Sequence, residues 1–402
     1  MSGKLRFGII GTGSRGTSCF GEILKTRENV QVGALCDPNP VRVKAAAEML
    51  GLDVPLYTSM KDMAAKEKLD AVIITSPDYA HHDCAVAALK LGWNVLIDKP
   101  LATSVKDGRD IIRTAAESGR TVMIGFNLRH HAVLKRLKEI IDAGTLGRVF
   151  LAENREFYDG GRTYMSRWNR LFEHTGGLWI HKASHDFDIF NWLLGFPKPV
   201  RVASFAAVNV LTPEHLPFAV EPGHRPGPSC NVCYYKDQCK DRYLLPESAM
   251  KMWGPEAAAA DGYVKNLCMY LSDKDNHDNG LAMVEYEGNI KVSLFETFIG
   301  SKNDRLYTIA GDLAVAEASL TERRITITPR WGGDVVTYHI PNSTGGHGGA
   351  DPGLVDTFCK VIRGELPPNS TAEHGLMATA LGQAAEISRR QHRMVEMSEL
   401  LG

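Results

Sequence analysis

The chain has 402 residues, 44% of them apolar, with 47 acidic side chains against 46 lysines and arginines and a formal net charge of −1. That size suits a sizeable core and two or three domains, the charge balance argues against a nucleic-acid or acidic-membrane partner, and no run of about 18 uncharged apolar residues offers a membrane span. Met1-Ser2-Gly3-Lys4 leads at once into an apolar run with no room for a signal peptide, so a cytoplasmic protein with reduced cysteines is expected.

Residues 5–10 read as a first strand, and Gly11-Thr12-Gly13-Ser14-Arg15-Gly16 follows directly. In that context the glycines permit a tight strand-to-helix turn, close approach of backbone to a pyrophosphate and close packing of helix on strand. A second apolar run, 30–36, ends at Asp37, about 20 residues past the last glycine. A carboxylate there can accept hydrogen bonds from both hydroxyls of an adenosine ribose and repels a 2′-phosphate, which predicts NAD rather than NADP. Further on, 71–75 is a short buried strand, 79–91 an alanine-rich helix, 95–97 a strand, 104–118 a helix capped by Ser104 and ended by Gly119, and 122–124 a closing strand. Such alternation predicts an α/β, parallel doubly wound domain over 1–126, with its ligand at the carboxyl ends of the strands. Beyond Gly125 strand-like alternation dominates, at 149–157, 200–208, 282–286, 290–298, 305–310, 325–328 and 335–340, with helices at 133–143, about 179–194 and 372–390. This predicts a second, α+β domain over 127–402, a largely antiparallel open sheet with helices on one face and an insertion at about 209–262.

At Asp98-Lys99-Pro100, taken with Ser76-Pro77-Asp78-Tyr79-Ala80-His81 and Asn127-Leu128-Arg129, the chain resembles the family of glucose-fructose oxidoreductase, inositol dehydrogenase and MocA. The resemblance covers essentially the whole chain. It implies NAD(P)-linked oxidation or reduction of a sugar or polyol hydroxyl, and homodimers or homotetramers built through the exposed face of the second sheet. It also sets Ser76, Pro77, His81 and Asp98 near the cofactor. The family's usual Glu-Lys-Pro stands here as Asp98-Lys99-Pro100, and the retained Lys99 is implied to lie beside the nicotinamide and to hydrogen-bond the reacting hydroxyl. In the family an aspartate, a histidine four residues later and a second aspartate three beyond project from one helix face toward substrate. Here those positions are His181, His185 and Asp188, a spacing that shares a face. His185 inherits the general acid/base role. His181, with Lys182 beside it, replaces the acid and points to a differently shaped substrate or to chemistry other than simple alcohol oxidation. Two further readings of this helix stay open: half-buried histidines on an amphipathic helix, and a divalent ion held by His181, His185 and Asp188.

The loop around 158–170 offers Tyr158, Arg167 and Trp168, whose aromatic faces suit a sugar ring and whose guanidinium suits its hydroxyls; Arg129, Lys182 and Asp188 join them as candidate substrate contacts. Gly345-Gly346-His347-Gly348-Gly349-Ala350-Asp351 is too glycine-rich for a helix or strand and is expected as a flexible loop, with His347 over the substrate as in some relatives. Cys230, Cys233 and Cys239 in a C-x2-C-x5-C array, with Cys268 beyond, supply the four thiols of a structural zinc site, although free thiols are also common in cores. The reading that collects most of these features is an NAD-dependent dehydrogenase of a sugar, sugar derivative or cyclitol. Its rivals are an NAD-recycling redox glycosidase or lyase acting through a transient keto-sugar, and a non-catalytic NAD-sensing regulator.

Overall fold

The computed structural model describes residues 3–341 and 346–402. Its first sheet has six parallel strands, β1 Leu5–Ile10, β2 Val30–Cys36, β3 Leu56–Tyr57, β4 Ala71–Ile74, β5 Asn94–Ile97 and β6 Val122–Ile124, in the order β3-β2-β1-β4-β5-β6. The central strands read as unbroken apolar runs because helices cover both faces: Phe7, Ile9, Val72, Ile73, Val95 and Leu96 are all buried. Strand order reverses between β1 and β4, which opens the crevice where doubly wound sheets take ligands. The intervening helices obey their local signals. Ser104 accepts the Asp107 N–H at 3.1 Å to start the helix Val105–Ser118, and Gly119 ends it at φ 63°.

The second sheet has nine strands: β7 Val149–Phe157, β8 Pro199–Ala207, β9 Asn279–Tyr286, β10 Ile290–Thr297, β11 Asp304–Gly311, β12 Ala314–Ser319, β13 Arg324–Pro329, β14 Val336–His339 and β15 Val395–Glu396. Their order is β14-β13-β12-β11-β7-β10-β9-β8-β15, with β7 and β10 paired in parallel and the other neighbours antiparallel. One face packs on the helices Ser184–Leu193 and Ala372–Gln391. The other bears Phe205, Leu281 and Met283, each more than half exposed.

Three expectations change. β12, Ala-Val-Ala-Glu-Ala-Ser, escapes a propensity reading because alanine favours helix; pairing on both sides makes it a strand. The single helix expected at 179–194 is two, Leu178–His181 and Ser184–Leu193, with the Ala183 N–H bonded to the Leu178 carbonyl at 3.1 Å, a widened i−5 step. Finally, the glycine-rich stretch expected as a loop begins a helix, Gly346–Ile362, that runs through Pro352. Burial of Leu354, Val355 and Phe358 against the first sheet, with the Phe358 ring 5.9 Å from that of Phe7, overrides glycine and proline propensity. The side chain of His347 lies outside the described residues.

The insertion carries the helices Glu247–Trp253 and Pro255–Asp261, which pack back on Pro40–Leu50 of the first domain. Among the described residues no helix is long and apolar enough to cross a membrane.

Candidate active site

The glycine-rich turn leaves β1 with its glycines doing different jobs. Gly11 has φ +88°, and a Cβ on it would stand 2.5 Å from the Ser76 nitrogen. A Cβ on Gly16 would stand 2.1 Å from the Gly11 carbonyl oxygen. These two close the turn against β4 and its exit. Gly13, by contrast, meets nothing of the first domain, so the loop presents bare backbone there, as a phosphate group requires. Thr12 donates to Asp37 Oδ2 through its N–H at 2.8 Å, and the Asn39 N–H donates to Oδ1 at 3.0 Å. Asp37 is thereby fixed at the end of β2 with lone pairs to spare for ribose hydroxyls. The residues present thus fit a dinucleotide. Ser76 and Pro77 lie half-buried on the facing loop. His81 is buried behind it, its ring between the carbonyls of Pro100 at 2.7 Å and Ser76 at 3.0 Å, and an N–H donated to either braces the loop against Lys99-Pro100. Arg15 bridges Asp98 at 2.8 Å and Asp351 at 3.1 Å. Burial raises the Asp98 carboxyl, but Arg15 outweighs it and leaves it below the usual carboxylate range.

At the carboxyl end of β5, Lys99 Nζ donates to the His181 carbonyl at 2.6 Å. Burial pulls its ammonium down to about 8, against the opposing pull of Asp78 and Asp98. The ring of His181 is held on both sides. Nδ1 lies 2.6 Å from Asp78 Oδ2, and Asn169 Nδ2 lies 3.2 Å from Nε2. Burial, then Lys99, keeps His181 well below its ordinary range, while burial lifts Asp78 to about 7. A neutral imidazole that donates from Nδ1 to Asp78 and accepts from Asn169 at Nε2 satisfies all three groups. Tyr164 and Trp168 wall this ring at centroid distances of 5.5 and 5.3 Å. His185, one turn on and half-buried, has its ring 6.3 Å from that of Phe126, the second residue beyond β6.

The other expected contacts scatter. Asp188 does not face a pocket: it takes two bonds from Arg129 at 2.5 and 2.8 Å, and both side chains are nearly inaccessible. Each was expected to touch substrate; they neutralise each other within the second domain instead, because neither charge can be buried alone. Lys182 is likewise buried, 2.8 Å from Glu156 and over the Tyr158 ring at 4.3 Å; burial opposes its charge, yet Glu156 holds the ammonium above the ordinary lysine range. Arg167 lies over Tyr243 of the insertion at 5.4 Å. The zinc expectation is corrected: all four thiols of Cys230, Cys233, Cys239 and Cys268 are free, and among the described residues no three His, Cys, Asp or Glu side chains converge as a metal requires. The same finding removes the metal reading of His181, His185 and Asp188. The insertion is held by other means, among them Phe218 stacked on the buried Tyr235 at 4.6 Å and Tyr270 Oη bonded to Asp241 at 2.6 Å. Asn169 belongs to the loop read from sequence as a substrate contact, but it binds the His181 ring instead; Asp78, Arg42, Trp253 and Lys265 were not singled out from sequence. Asp78 stands in the quoted Ser-Pro-Asp turn, but nothing local marks the other three.

Family models describe the chain in two parts. The one described as "Oxidoreductase family, NAD-binding Rossmann fold" matches residues 5–126, and the one described as "Oxidoreductase family, C-terminal alpha/beta domain" matches 138–397. YteT of Bacillus subtilis (strain 168), which carries an oxidoreductase name, is 26% identical over 423 residues, 97% of this chain and 97% of its own. The 2,7-anhydro-N-acetylneuraminate hydratase of Mediterraneibacter gnavus is 30% identical over 190 residues, 47% of this chain and 49% of that protein. Among solved structures, levoglucosan dehydrogenase in complex with NADH and levoglucosan shares the fold at a TM-score of 0.74 and 15% identity, over 98% of this chain and 99% of the other. With both of its models matched, over most of the sequence, the chain belongs to the Gfo/Idh/MocA family of oxidoreductases.

Proposed function

We propose that the protein is an NAD-dependent dehydrogenase acting on a hydroxyl of a sugar, sugar derivative or cyclitol. The observation that carries this reading is Lys99: a lysine at the carboxyl edge of a parallel sheet, tied to the His181 carbonyl and set between Asp78 and Asp98, with its ammonium tuned down to about 8. When bound, the dinucleotide supplies the hydride acceptor. Gly11, Gly13 and Gly16 shape the turn that receives its pyrophosphate, and Asp37 takes the ribose hydroxyls, which favours NAD over NADP. The Lys99 ammonium donates a hydrogen bond to the reacting oxygen and stabilises the charge that develops there; His185 takes the proton. Asp78 and Asn169 fix the His181 ring, and His181 through its carbonyl fixes Lys99, so these three position the group that reacts. Trp168 and Tyr164 give the sugar apolar faces. The exposed Phe205, Leu281 and Met283 support a homodimer or homotetramer built through the outer face of the second sheet.

A second reading has one observation in its favour. The hydratase of Mediterraneibacter gnavus is similar over about half of this chain, and the activity in its name is a hydration and not a net oxidation. The corresponding reading here is an enzyme that returns its hydride. One experiment separates the two: purified protein is offered free sugars, cyclitols and glycosides while absorbance at 340 nm and product release are followed together. Stoichiometric NADH with product establishes the dehydrogenase; product without NADH establishes the recycling enzyme. No turnover of any of them, with NAD bound, rejects both.

A further inference from the structure

The insertion reaches the glycine-rich loop. Lys265 Nζ stands 2.8 Å from Ser14 Oγ and 3.7 Å from the centroid of the Trp253 ring. Trp253 lies 3.6 Å from where a side chain on Gly13 would begin, and the Arg42 guanidinium sits 4.8 Å from its ring centroid. The same segment is fastened to the first domain beyond β2. Asn39 Nδ2 donates to the Ala257 carbonyl at 2.8 Å and to Asp261 at 2.9 Å, and Arg42 pairs with Asp261 at 2.8 Å.

The charges around this contact do not balance. Lys265 is only 6% exposed, and among the described residues no carboxylate lies within ion-pair distance of it. Burial, then Arg167 and Arg42, draws its ammonium down to about 7. Nε and Nη2 of Arg42 and Nε of Arg167 are buried with no hydrogen-bond partner. Asp261 and Asp37 answer Arg42, but Lys265 and Arg167 add charge beyond theirs, and buried cationic donors left without acceptors are expensive and persist where an anion completes them. The loop that Lys265 touches is the one whose bare backbone at Gly13 suits a pyrophosphate.

We propose that Lys265, supported by Arg42 and Arg167, binds the phosphate groups of the dinucleotide, and that Trp253 closes the site from the insertion, so that residues 247–265 clamp the cofactor onto the first domain. On binding, the ammonium exchanges the Ser14 hydroxyl for a phosphate oxygen. This rests on the dinucleotide reading above. The test is equilibrium binding by calorimetry with NAD, NADP, ADP and adenosine, on the full chain and on Lys265→Gln and Lys265→Arg. Wild-type protein is expected to bind NAD and ADP. Lys265→Gln should weaken both by about tenfold to a hundredfold, the loss typical of a charged hydrogen bond, and leave adenosine unchanged, while Lys265→Arg retains most of the affinity. Trp253→Ala should speed release of NAD in a stopped-flow chase. Folding of each variant is checked by its melting temperature, and Lys265→Arg keeps the test valid should the glutamine variant fold poorly. Unchanged NAD affinity in Lys265→Gln overturns the clamp alone. Loss confined to NADP also overturns it, by assigning the cations to a 2′-phosphate. A folded wild-type protein that binds neither NAD nor ADP overturns the cofactor reading as well.

Discussion

The two ends of the cofactor crevice handle charge in opposite ways. At the reaction end Arg15 spans Asp98 and Asp351, and Lys99, bonded to the His181 carbonyl, feels the opposite charges of Asp78 and Asp98. At the phosphate end Arg42 meets Asp37 and Asp261, but Lys265 and Arg167 add two cations with no carboxylate within ion-pair distance among the described residues, and guanidinium nitrogens are left buried without acceptors. A balanced, buried cluster suits proton work, because small shifts in protonation cost little when compensating charge is at hand. An unbalanced cationic cluster suits a permanent anion. The contrast assigns chemistry to one end and binding to the other, and substitutions should divide along the same line.

The largest effects belong to the reaction end. Lys99→Ala and His185→Ala should each lower the rate of hydride transfer by about 10²–10⁴ while NAD binding measured by calorimetry stays near wild type. Loss of NAD affinity with little loss of rate in either variant would erase the contrast, since the residue would then belong with the binding groups. Next in size is a stability effect that sets both ends apart from the scaffold of the second domain. Asp188→Ala strands the Arg129 charge and should cost about 3–5 kcal/mol in urea unfolding. A variant as stable as wild type with a large change in KM would restore Asp188 to the substrate.

Asp37→Ala tests the phosphate end at smaller scale. Removing a buried charged acceptor should weaken NAD by about 1–3 kcal/mol and relieve repulsion of NADP. Arg42 sits 3.5 Å from Asp37, and without that acid it keeps Asp261 alone as its partner and stands nearer to accepting a 2′-phosphate. Calorimetry with both dinucleotides reads the outcome; unchanged NAD affinity removes Asp37 from the site.

What could be read from sequence was what the chain writes locally. The glycine turn, Asp37 at the end of β2 and Lys99 after β5 depend on a strand, a turn and a spacing, and β7 emerges with the bounds its alternation gives. What escaped reading depends on partners far along the chain. Asp188 looks like a site residue until Arg129 is found against it, and Lys265 looks like an ordinary insertion lysine until Ser14, 251 positions earlier, is found beneath it. Helix Gly346–Ile362 escaped for a related reason: its own glycines and proline argue against it, and only burial against Phe7 decides otherwise. The four cysteines erred in the opposite direction, since spacing is necessary for a metal site but convergence makes one.

The smallest expected effect is the most direct probe of the balanced end. Lys99 is drawn below the ordinary lysine range to about 8, chiefly by burial, so its ammonium is mostly intact at pH 7 and half lost near pH 8. If the charged form stabilises the reacting oxygen, kcat/KM should be level with respect to Lys99 below this value, fall about twofold by pH 8, and fall about tenfold per unit above it. A rate that rises through pH 8 instead would mean that the neutral amine is the base, and His185 would lose that role. Asp78 supplies the sharper form of the test. Its carboxylate favours the charged lysine, so Asp78→Asn should move the alkaline break to lower pH while leaving NAD affinity unchanged. A break that stays in place in Asp78→Asn would mean that the acids around Lys99 are scaffolding, and the two ends of the crevice would differ in composition alone.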